Sequence, residues 1–195
     1  MANYVVALTG ASGIIYGIRL AEELLERKHS VHLIASKAAY IVLEQEIGWI
    51  LESNLKSWQS YLCGDLHVYD NEDIAAQLSS GSFITEAMII IPCTMATVSA
   101  LAGGSSRSLL ERAADVILKE KRRLIIVPRE TPLNTIQLRN MLILSEMGVH
   151  VIPAMPAFYH HPDSIKDLVD FMVGKVLDAL QIENRLFKRY TLEDL

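Results

Sequence analysis

The sequence contains few of the features that mark secreted, zinc-binding or membrane-spanning proteins. It has two cysteines in 195 residues, Cys63 and Cys93, which are too few and too irregularly placed for a disulfide framework or a zinc site. Its longest apolar runs, such as 87–92 and 124–128, are far shorter than the roughly 20 residues that span a bilayer. The N-terminus enters a strand pattern directly, without a recognisable signal peptide. We therefore expect a cytoplasmic protein without a membrane anchor.

The chain also lacks a surplus of positive charge and a metal-binding histidine pattern. Its formal net charge is −5, whereas proteins that hold nucleic-acid backbones carry excess Lys and Arg on one face. None of its six histidines shows the paired helical spacing of a metal site, and His160 and His161 are direct neighbours. We expect neither a nucleic-acid partner nor a bound metal. A small anionic ligand remains compatible with this charge, because a few basic residues can converge locally.

What the sequence does contain is enough apolar material for one substantial core. Hydrophobic residues make up 51% of the chain, mean hydropathy is +0.25, and this length suits one domain. Apolar runs typical of strands buried on both faces alternate with stretches of helical period. This alternation predicts a single doubly wound α/β domain, Rossmann- or flavodoxin-like, with a mainly parallel sheet and helices on both faces. The predicted strands are 4–8, 31–35, 87–92, 124–128 and 150–153, and the clearest helices are 13–27 and 163–180.

Three segments are less regular or carry a specific expectation. Residues 49–82 have weak periodicity and receive no firm assignment, although the Ser-Ser-Gly-Ser run at 79–82 predicts a surface loop. In the helix at 163–180, the apolar stripe that should face the core begins at Ile165. From residue 183 the chain is charged and has no strong apolar stripe. We therefore predict a domain at 1–182, followed at 183–195 by a C-terminal tail or an arm onto a neighbouring subunit.

A glycine-rich turn follows the first predicted strand and opens the first helix. Residues 9–13 read Thr-Gly-Ala-Ser-Gly, and doubly wound folds bind phosphate or a cofactor at this position. The alternative is merely a tight strand-to-helix turn. The second predicted strand ends at Ser36 and Lys37, without the acidic residue that binds a nicotinamide ribose. The Ser36 hydroxyl suits a flavin nucleotide, or it caps the next helix.

Polar residues also follow the later predicted strands, at the edge where such folds bind ligands. Thr94 and Thr97 are three residues apart and can face one ligand, or cap a helix. Cys93 has no activating histidine nearby in sequence and is expected to be a small buried hydrophobe. Arg129 and Glu130 end another buried strand. Three prolines between residues 153 and 162 either hold Tyr159 toward a pocket or form a rigid surface crossover.

Taken together, these segments resemble the UbiX-type flavin prenyltransferases, within the wider family of homo-oligomeric flavin-containing cysteine decarboxylases. The resemblance runs from about the first strand to the last helix. It implies metal-independent transfer of a dimethylallyl group from dimethylallyl phosphate to reduced FMN, with closure of a fourth ring. The product would be prenylated FMN, the cofactor of UbiD-type decarboxylases, and the assembly a homo-dodecamer with sites at subunit junctions. The most specific segments are 9–17, 36–39, 79–83, 111–120, 127–133 and 156–162.

The resemblance also implies roles for individual residues. The residues that would bind FMN are Gly10, Ala11, Ser12, Ser36, Thr94, Met95, Ala96, Thr97 and Arg129. The residues that would bind the donor are Tyr159 and Lys175. The catalytic residues would be Ser12, Glu46, Arg112, Lys119 and Glu130.

The chain departs from the family pattern at three positions. Ala96 stands where many relatives have Lys, Lys175 where Arg is frequent, and Tyr190 where Trp is common. Lys175 keeps the positive charge but loses the planar two-pronged contact of an Arg.

Two other functions agree with a flavin-binding fold. One is an FMN-dependent cysteine-type decarboxylase, which shares the fold and the flavin; those enzymes typically carry an Asn-containing motif after the third strand and a catalytic His, and residues 94–97 match neither. The other is a non-catalytic flavin carrier, which would bind the cofactor and hand it over unchanged.

Overall fold

The computed structural model describes residues 1–190, which form a six-stranded parallel sheet between two layers of helices. The strand order is β3-β2-β1-β4-β5-β6, and every adjacent pair is parallel. This is the order of the Rossmann fold, so the predicted doubly wound α/β class is confirmed. The strands are β1 (Asn3–Leu8), β2 (Ser30–Ala35), β3 (Leu66–Asp70), β4 (Ala87–Cys93), β5 (Arg123–Pro128) and β6 (His150–Val151). The helices are α1 (Ile14–Glu26), α2 (Lys37–Ile47), α3 (Leu55–Trp58), α4 (Met95–Ala102), α5 (Leu109–Lys119), α6 (Thr135–Glu146) and α7 (Ile165–Ala179), with a 3₁₀ turn at Gln77–Ser79.

Side chains of alternate strand residues pack into two apolar layers, one on each face of the sheet. In β1, Tyr4, Val6 and Leu8 pack into the first layer, whereas Val5 and Ala7 pack into the second. Helices α1, α2, α3 and α7 cover the first layer, and α4, α5 and α6 cover the second. The central strands are buried on both faces, as their nearly continuous apolar sequences predict.

Two local predictions were incomplete or wrong. Strand β3 lies at the sheet edge with only Leu66 fully buried, so its sequence shows no continuous apolar run. Ile165 was expected to begin the core-facing stripe of α7, but its side chain is 78% exposed. It is the first residue of the helix, where the chain has not yet reached the core. The buried positions begin at Val169.

The segment beyond residue 182, predicted to be a tail or an arm, contacts its own chain where the structure describes it. Residues 183–190 lie against α7, through the side chains of Asn184, Phe187 and Arg189. The last five positions of the predicted segment lie outside the described residues. Within residues 1–190, no helix is long and apolar enough to cross a membrane.

Candidate functional site

The glycine-rich turn between β1 and α1 is held by a carboxylate from α2. Gly13 adopts φ 91°, and its backbone N–H donates to Glu46 Oε2 at 2.9 Å, while Ile14 N–H donates to the same oxygen at 3.1 Å. Glu46 thus satisfies the first free amides of α1, the position where a bound anion would otherwise sit. Ser12 is exposed, and its hydroxyl has no partner within residues 1–190. It is therefore available to a ligand.

Gly10 and Ala11 of this turn are closely packed. Ala11 is 5% exposed. At Gly10, a side chain would collide with Ala38 of α2. The glycine is therefore needed for the close approach of the turn to α2, whether or not a ligand is bound.

Tyr16 joins this turn, although sequence reasoning did not select it. Its ring covers Gly13, where a Cβ would come within 2.7 Å of the ring. Burial is the main cause that raises the pKa of the Tyr16 hydroxyl; the Glu46 charge raises it further and the Arg129 charge opposes the rise. Glu46 and Arg129 therefore both lie within electrostatic reach of the Tyr16 hydroxyl. The only signal in the sequence was an aromatic ring three positions after Gly13.

The ends of β1 and β4 are tied together by one threonine hydroxyl. Thr9 Oγ1 donates to the carbonyl of Pro92 at 2.7 Å and accepts from Thr94 N–H at 2.9 Å. Cys93, beside this junction, is fully buried, and burial raises the pKa of its thiol. The thiolate is disfavoured there, which agrees with the expected role of Cys93 as a small buried hydrophobe.

Ser36 and Thr94 both act as helix caps, which was one of the two roles considered for each. Ser36 Oγ accepts from Ala39 N–H at 3.2 Å, and Thr94 Oγ1 accepts from Thr97 N–H at the same distance. The Thr94 and Thr97 hydroxyls lie 2.9 Å apart. A capping hydroxyl uses a lone pair and keeps its hydrogen. Ser36 and one of the two threonines can therefore still donate to a ligand while they cap α2 and α4.

A cavity of about 320 Å³ opens at the carboxyl ends of β4, β5 and β6. Its lining includes Met95 from α4, Arg129 and Glu130 after β5, Met141 from α6 and Met155 after β6. Three of these, Met95, Arg129 and Glu130, are residues predicted for the site. The lining combines apolar surface with a few converging polar groups, as ligand pockets do.

Arg129 is the polar group in this cavity that lacks a hydrogen-bond partner. Its Nε is buried without a hydrogen-bond partner in the part of the chain that the structure describes, and no partner is found there for the rest of its guanidinium. A buried donor left unpaired is costly. Glu130 is exposed and accepts from Thr131 N–H at 3.0 Å. The cavity therefore offers an unsatisfied cation and a carboxylate with one oxygen unpaired among residues 1–190. Arg129 fits the phosphate or carbonyl oxygens of a flavin nucleotide.

Arg112 and Lys119 do not join this cavity in their own chain. Arg112 pairs with Asp115 at 2.8 Å and Lys119 with Glu120 at 2.6 Å, all on or beside α5. The start of α5 is bound to Asn71, directly after β3, at the carboxyl edge. The helix then runs toward the opposite edge, and Lys119, at its last position, lies about 15 Å along the helix axis from Leu109. Lys119 therefore lies well away from the cavity of the same chain.

Tyr159, in the loop before α7, and Lys175, on α7, both lie near Phe171 of that helix. The Tyr159 ring packs edge-on against Phe171, with ring centres 6.0 Å apart. Lys175 is exposed and lies four residues after Phe171, so both occupy one stripe of the helix. Neither Tyr159 nor Lys175 lines the cavity. Ala96 is exposed at the start of α4. Across residues 1–190, no cluster of His, Cys, Asp or Glu is placed to hold a metal ion.

Comparison with known proteins gives the relationship of this chain. Residues 1–177 match the model of the family described as Flavoprotein. The flavin prenyltransferase UbiX of Alkalihalophilus pseudofirmus is 50% identical over 190 residues, which cover 95% of this chain and 94% of that protein. The structure of AnUbiX (PadA1) in complex with FMN and dimethylallyl pyrophosphate superposes with a TM-score of 0.89, at 38% identity and 97% coverage of both chains.

A second solved structure has the same fold over its whole length. The dodecameric FMN-dependent UbiX-like decarboxylase from Escherichia coli O157:H7 gives a TM-score of 0.88 at 41% identity, with 97% of this chain and 99% of that chain covered. The sequence identity extends over nearly the entire chain. It agrees with the Rossmann sheet and with the cavity at the carboxyl edge of that sheet, where a flavin nucleotide fits. The chain belongs to the UbiX flavin prenyltransferases, a flavoprotein family of FMN-dependent transferases.

Proposed function

We propose that this protein transfers the dimethylallyl group of dimethylallyl phosphate to reduced FMN and closes a fourth ring, giving prenylated FMN for UbiD-type decarboxylases. The observation that carries the proposal is Arg129, whose buried Nε has no partner among residues 1–190, in a cavity at the edge where β4, β5 and β6 end. The AnUbiX structure, which holds FMN and dimethylallyl pyrophosphate, supports both ligand classes.

Each group of residues has a distinct task in this proposal. Arg129 and the free hydroxyl hydrogens of Ser36 and the Thr94–Thr97 pair would hold the flavin nucleotide, with Gly10, Ala11 and Ser12 along the β1 turn. Met95 and Ala96 would face it from the start of α4. Reduced FMN, when bound, supplies the electron-rich ring atoms that form the new bonds.

The remaining residues would act on the donor. As the allylic C–O bond breaks, negative charge develops on the departing phosphate, and basic side chains with a Tyr hydroxyl stabilise it. Tyr159, Lys175, Arg112 and Lys119 are the residues for this task. Glu130, exposed at the rim, would exchange a proton with the phosphate during ring closure. The apolar cavity lining would keep water from the prenyl cation.

We also propose that the working form is a homo-dodecamer in which neighbouring subunits complete each site. Arg112 and Lys119 on α5, Lys175 on α7 and Tyr159 before α7 do not line the cavity of their own chain. Helix α6, beside that cavity, exposes several large apolar side chains, as surfaces that form subunit contacts do. The E. coli UbiX-like relative is dodecameric. A cytoplasmic location and the transfer of the product to a UbiD-type decarboxylase complete the proposal.

The test is a mass measurement of the flavin after anaerobic incubation with reduced FMN and dimethylallyl phosphate. We expect the flavin to gain one isoprene unit, with and without a strong chelator. Glu130→Gln should slow product formation at least about 100-fold. Glu26→Gln, which changes an exposed glutamate on α1, should have no effect. An unchanged flavin would contradict the proposal and favour the non-catalytic flavin carrier. Carbon dioxide released from a cysteine-containing peptide would instead indicate the decarboxylase, which the 50% identity to a flavin prenyltransferase disfavours.

A further inference from the structure

The C-terminal arm, residues 183–190, is fastened over one turn of α7. Asn184 is 5% exposed, and its Nδ2 donates to the carbonyl of Gly174 at 3.2 Å and to Asp178 Oδ1 at 2.9 Å. The Phe187 ring covers Gly174, where a Cβ would come within 2.6 Å of the ring. The arm therefore packs on Gly174 and Asp178, and Lys175 lies on the same turn of the helix between them in sequence.

Asp178 is the carboxylate that fixes the far end of the arm. Arg189 donates to both of its oxygens, from Nη1 to Oδ2 at 3.0 Å and from Nη2 to Oδ1 at 2.6 Å. The hydrogen bond from Arg189 is the largest cause that lowers the pKa of Asp178, and the charge of Lys175 acts in the same direction as a smaller cause. Asp178 thus lies within reach of two cations, and Arg189 occupies both of its oxygens.

The arm also reaches the second residue proposed for the donor. Beyond Arg189, the Tyr190 ring packs edge-on against Tyr159, with ring centres 5.9 Å apart. Tyr159 also packs against Phe171. Phe187 of the arm packs against the same Phe171 ring, with ring centres 4.9 Å apart. One short segment therefore contacts Tyr159 directly and binds Asp178, the carboxylate on which the Lys175 charge also acts.

We propose that Arg189 is a positioning residue for the donor phosphate, acting by neutralising Asp178 so that the charge of Lys175 remains free for the phosphate. This inference rests on the proposed function, in which Tyr159 and Lys175 bind that phosphate. Lys175 and Asp178 are three residues apart on one helix, a spacing at which opposite charges pair. Without Arg189, Asp178 would attract the Lys175 ammonium and repel an incoming phosphate.

The chain provides the variants that separate this electrostatic role from simple tethering of the arm. Arg189→Ala removes both hydrogen bonds to Asp178 and leaves the Asp178 charge without its arginine partner. Asp178→Asn removes that charge, and the double variant lacks both. Arg185→Ala is the matched control, because Arg185 is an exposed arginine on the same arm without a partner among residues 1–190.

The measurement is calorimetric titration of dimethylallyl phosphate into each full-length protein loaded with oxidised FMN, which allows binding without turnover. We expect Arg189→Ala to weaken donor binding about tenfold, while Arg185→Ala and FMN affinity stay within about twofold of wild type. The double variant should recover to within about threefold of wild type. A double variant as weak as Arg189→Ala would overturn the proposal, because tethering alone predicts no rescue. Equal losses in Arg189→Ala and Arg185→Ala would overturn it as well.

This titration and the product-mass assay fail independently. Wild-type protein that binds the donor with the expected variant pattern but leaves the flavin unchanged would contradict the proposed transfer and support the role of Arg189. Wild-type protein that forms prenylated flavin, with Arg189→Ala binding the donor as wild type does, would contradict only the role of Arg189. An absence of donor binding to the wild type would overturn the role of Arg189, and the product-mass assay would still decide whether transfer occurs.

Discussion

Helices α1 and α6 are nearly equal in length and differ sharply in how the chain covers them. Of the 13 residues of α1, eight are buried, including Ile14, Ile18 and Leu24. Of the 12 residues of α6, Leu144 alone is buried. Its exposed apolar residues include Ile136, Leu138, Leu142 and Ile143. The apolar face of α1 is therefore buried within its own chain, whereas α6 presents an exposed apolar surface that suits contact with another subunit. Changes on α1 should cost folding, and changes on α6 should cost assembly.

The largest effect is expected where α1 meets the sheet. Gly17 packs so closely that an added Cβ would collide with the carbonyl oxygen of Ile91 and a methyl of Leu8. Gly17→Ala should lower the free energy of unfolding by about 2 to 4 kcal/mol, because the backbone must move to accept the methyl group. Gly103→Ala is the control, since the nearest atom there is 3.4 Å away, and its cost should stay below about 1 kcal/mol. Urea denaturation measures both, and equal midpoints would refute the packing argument.

A smaller effect is expected at the start of α1, where Glu46 caps the helix. Glu46→Ala removes the acceptor of two backbone amides and should lower the free energy of unfolding by about 1 kcal/mol. Glu44→Ala, an exposed change on the same helix α2, should leave stability as it is. The same urea titration decides. Unchanged stability of Glu46→Ala, combined with lost product formation, would assign Glu46 to the chemistry and not to the cap.

The smallest effect on the fold is expected on α6. Leu138→Glu combined with Leu142→Glu places two charges on one stripe of the exposed face. Far-ultraviolet circular dichroism should keep its wild-type shape, while the solution mass falls below that of the wild-type assembly. Ile41→Glu, a change at an exposed apolar residue on α2, serves as the control and should leave the mass unaltered. A wild-type mass in the double variant would show that α6 is not a subunit contact.

The sequence alone was sufficient for the fold class because the central strands are buried on both faces. Four of the five predicted strands, at 4–8, 31–35, 87–92 and 124–128, fall within one residue of β1, β2, β4 and β5 at each end. For the fifth, 150–153, the structure assigns only His150–Val151 as strand. Backbone bonding to β5 nevertheless continues as far as Ala154, which donates to the carbonyl of Pro128. Edge strand β3 was missed because a half-exposed strand needs no continuous apolar run.

The candidate site was less accessible from the sequence, because side-chain partners depend on elements far apart in the chain. Sequence reasoning placed Arg129 at the end of a buried strand, but its lack of a partner emerges only from the folded chain. The sequence also gives no sign that Glu46 would satisfy the amides of α1, 33 residues away. For Arg112 and Lys119, the resemblance supplied a role that the geometry of a single chain does not reproduce.

The most direct test of the account is the affinity for FMN of Arg129→Ala measured beside that of Arg123→Ala. The two arginines lie at opposite ends of β5, so the pair changes the same charge at the cavity and at the far edge of the sheet. Loss of a hydrogen bond to a charged group should weaken FMN binding about 10- to 100-fold in Arg129→Ala, while Arg123→Ala binds as wild type does. Equal affinity of both variants for FMN would contradict the assignment of the flavin to this edge.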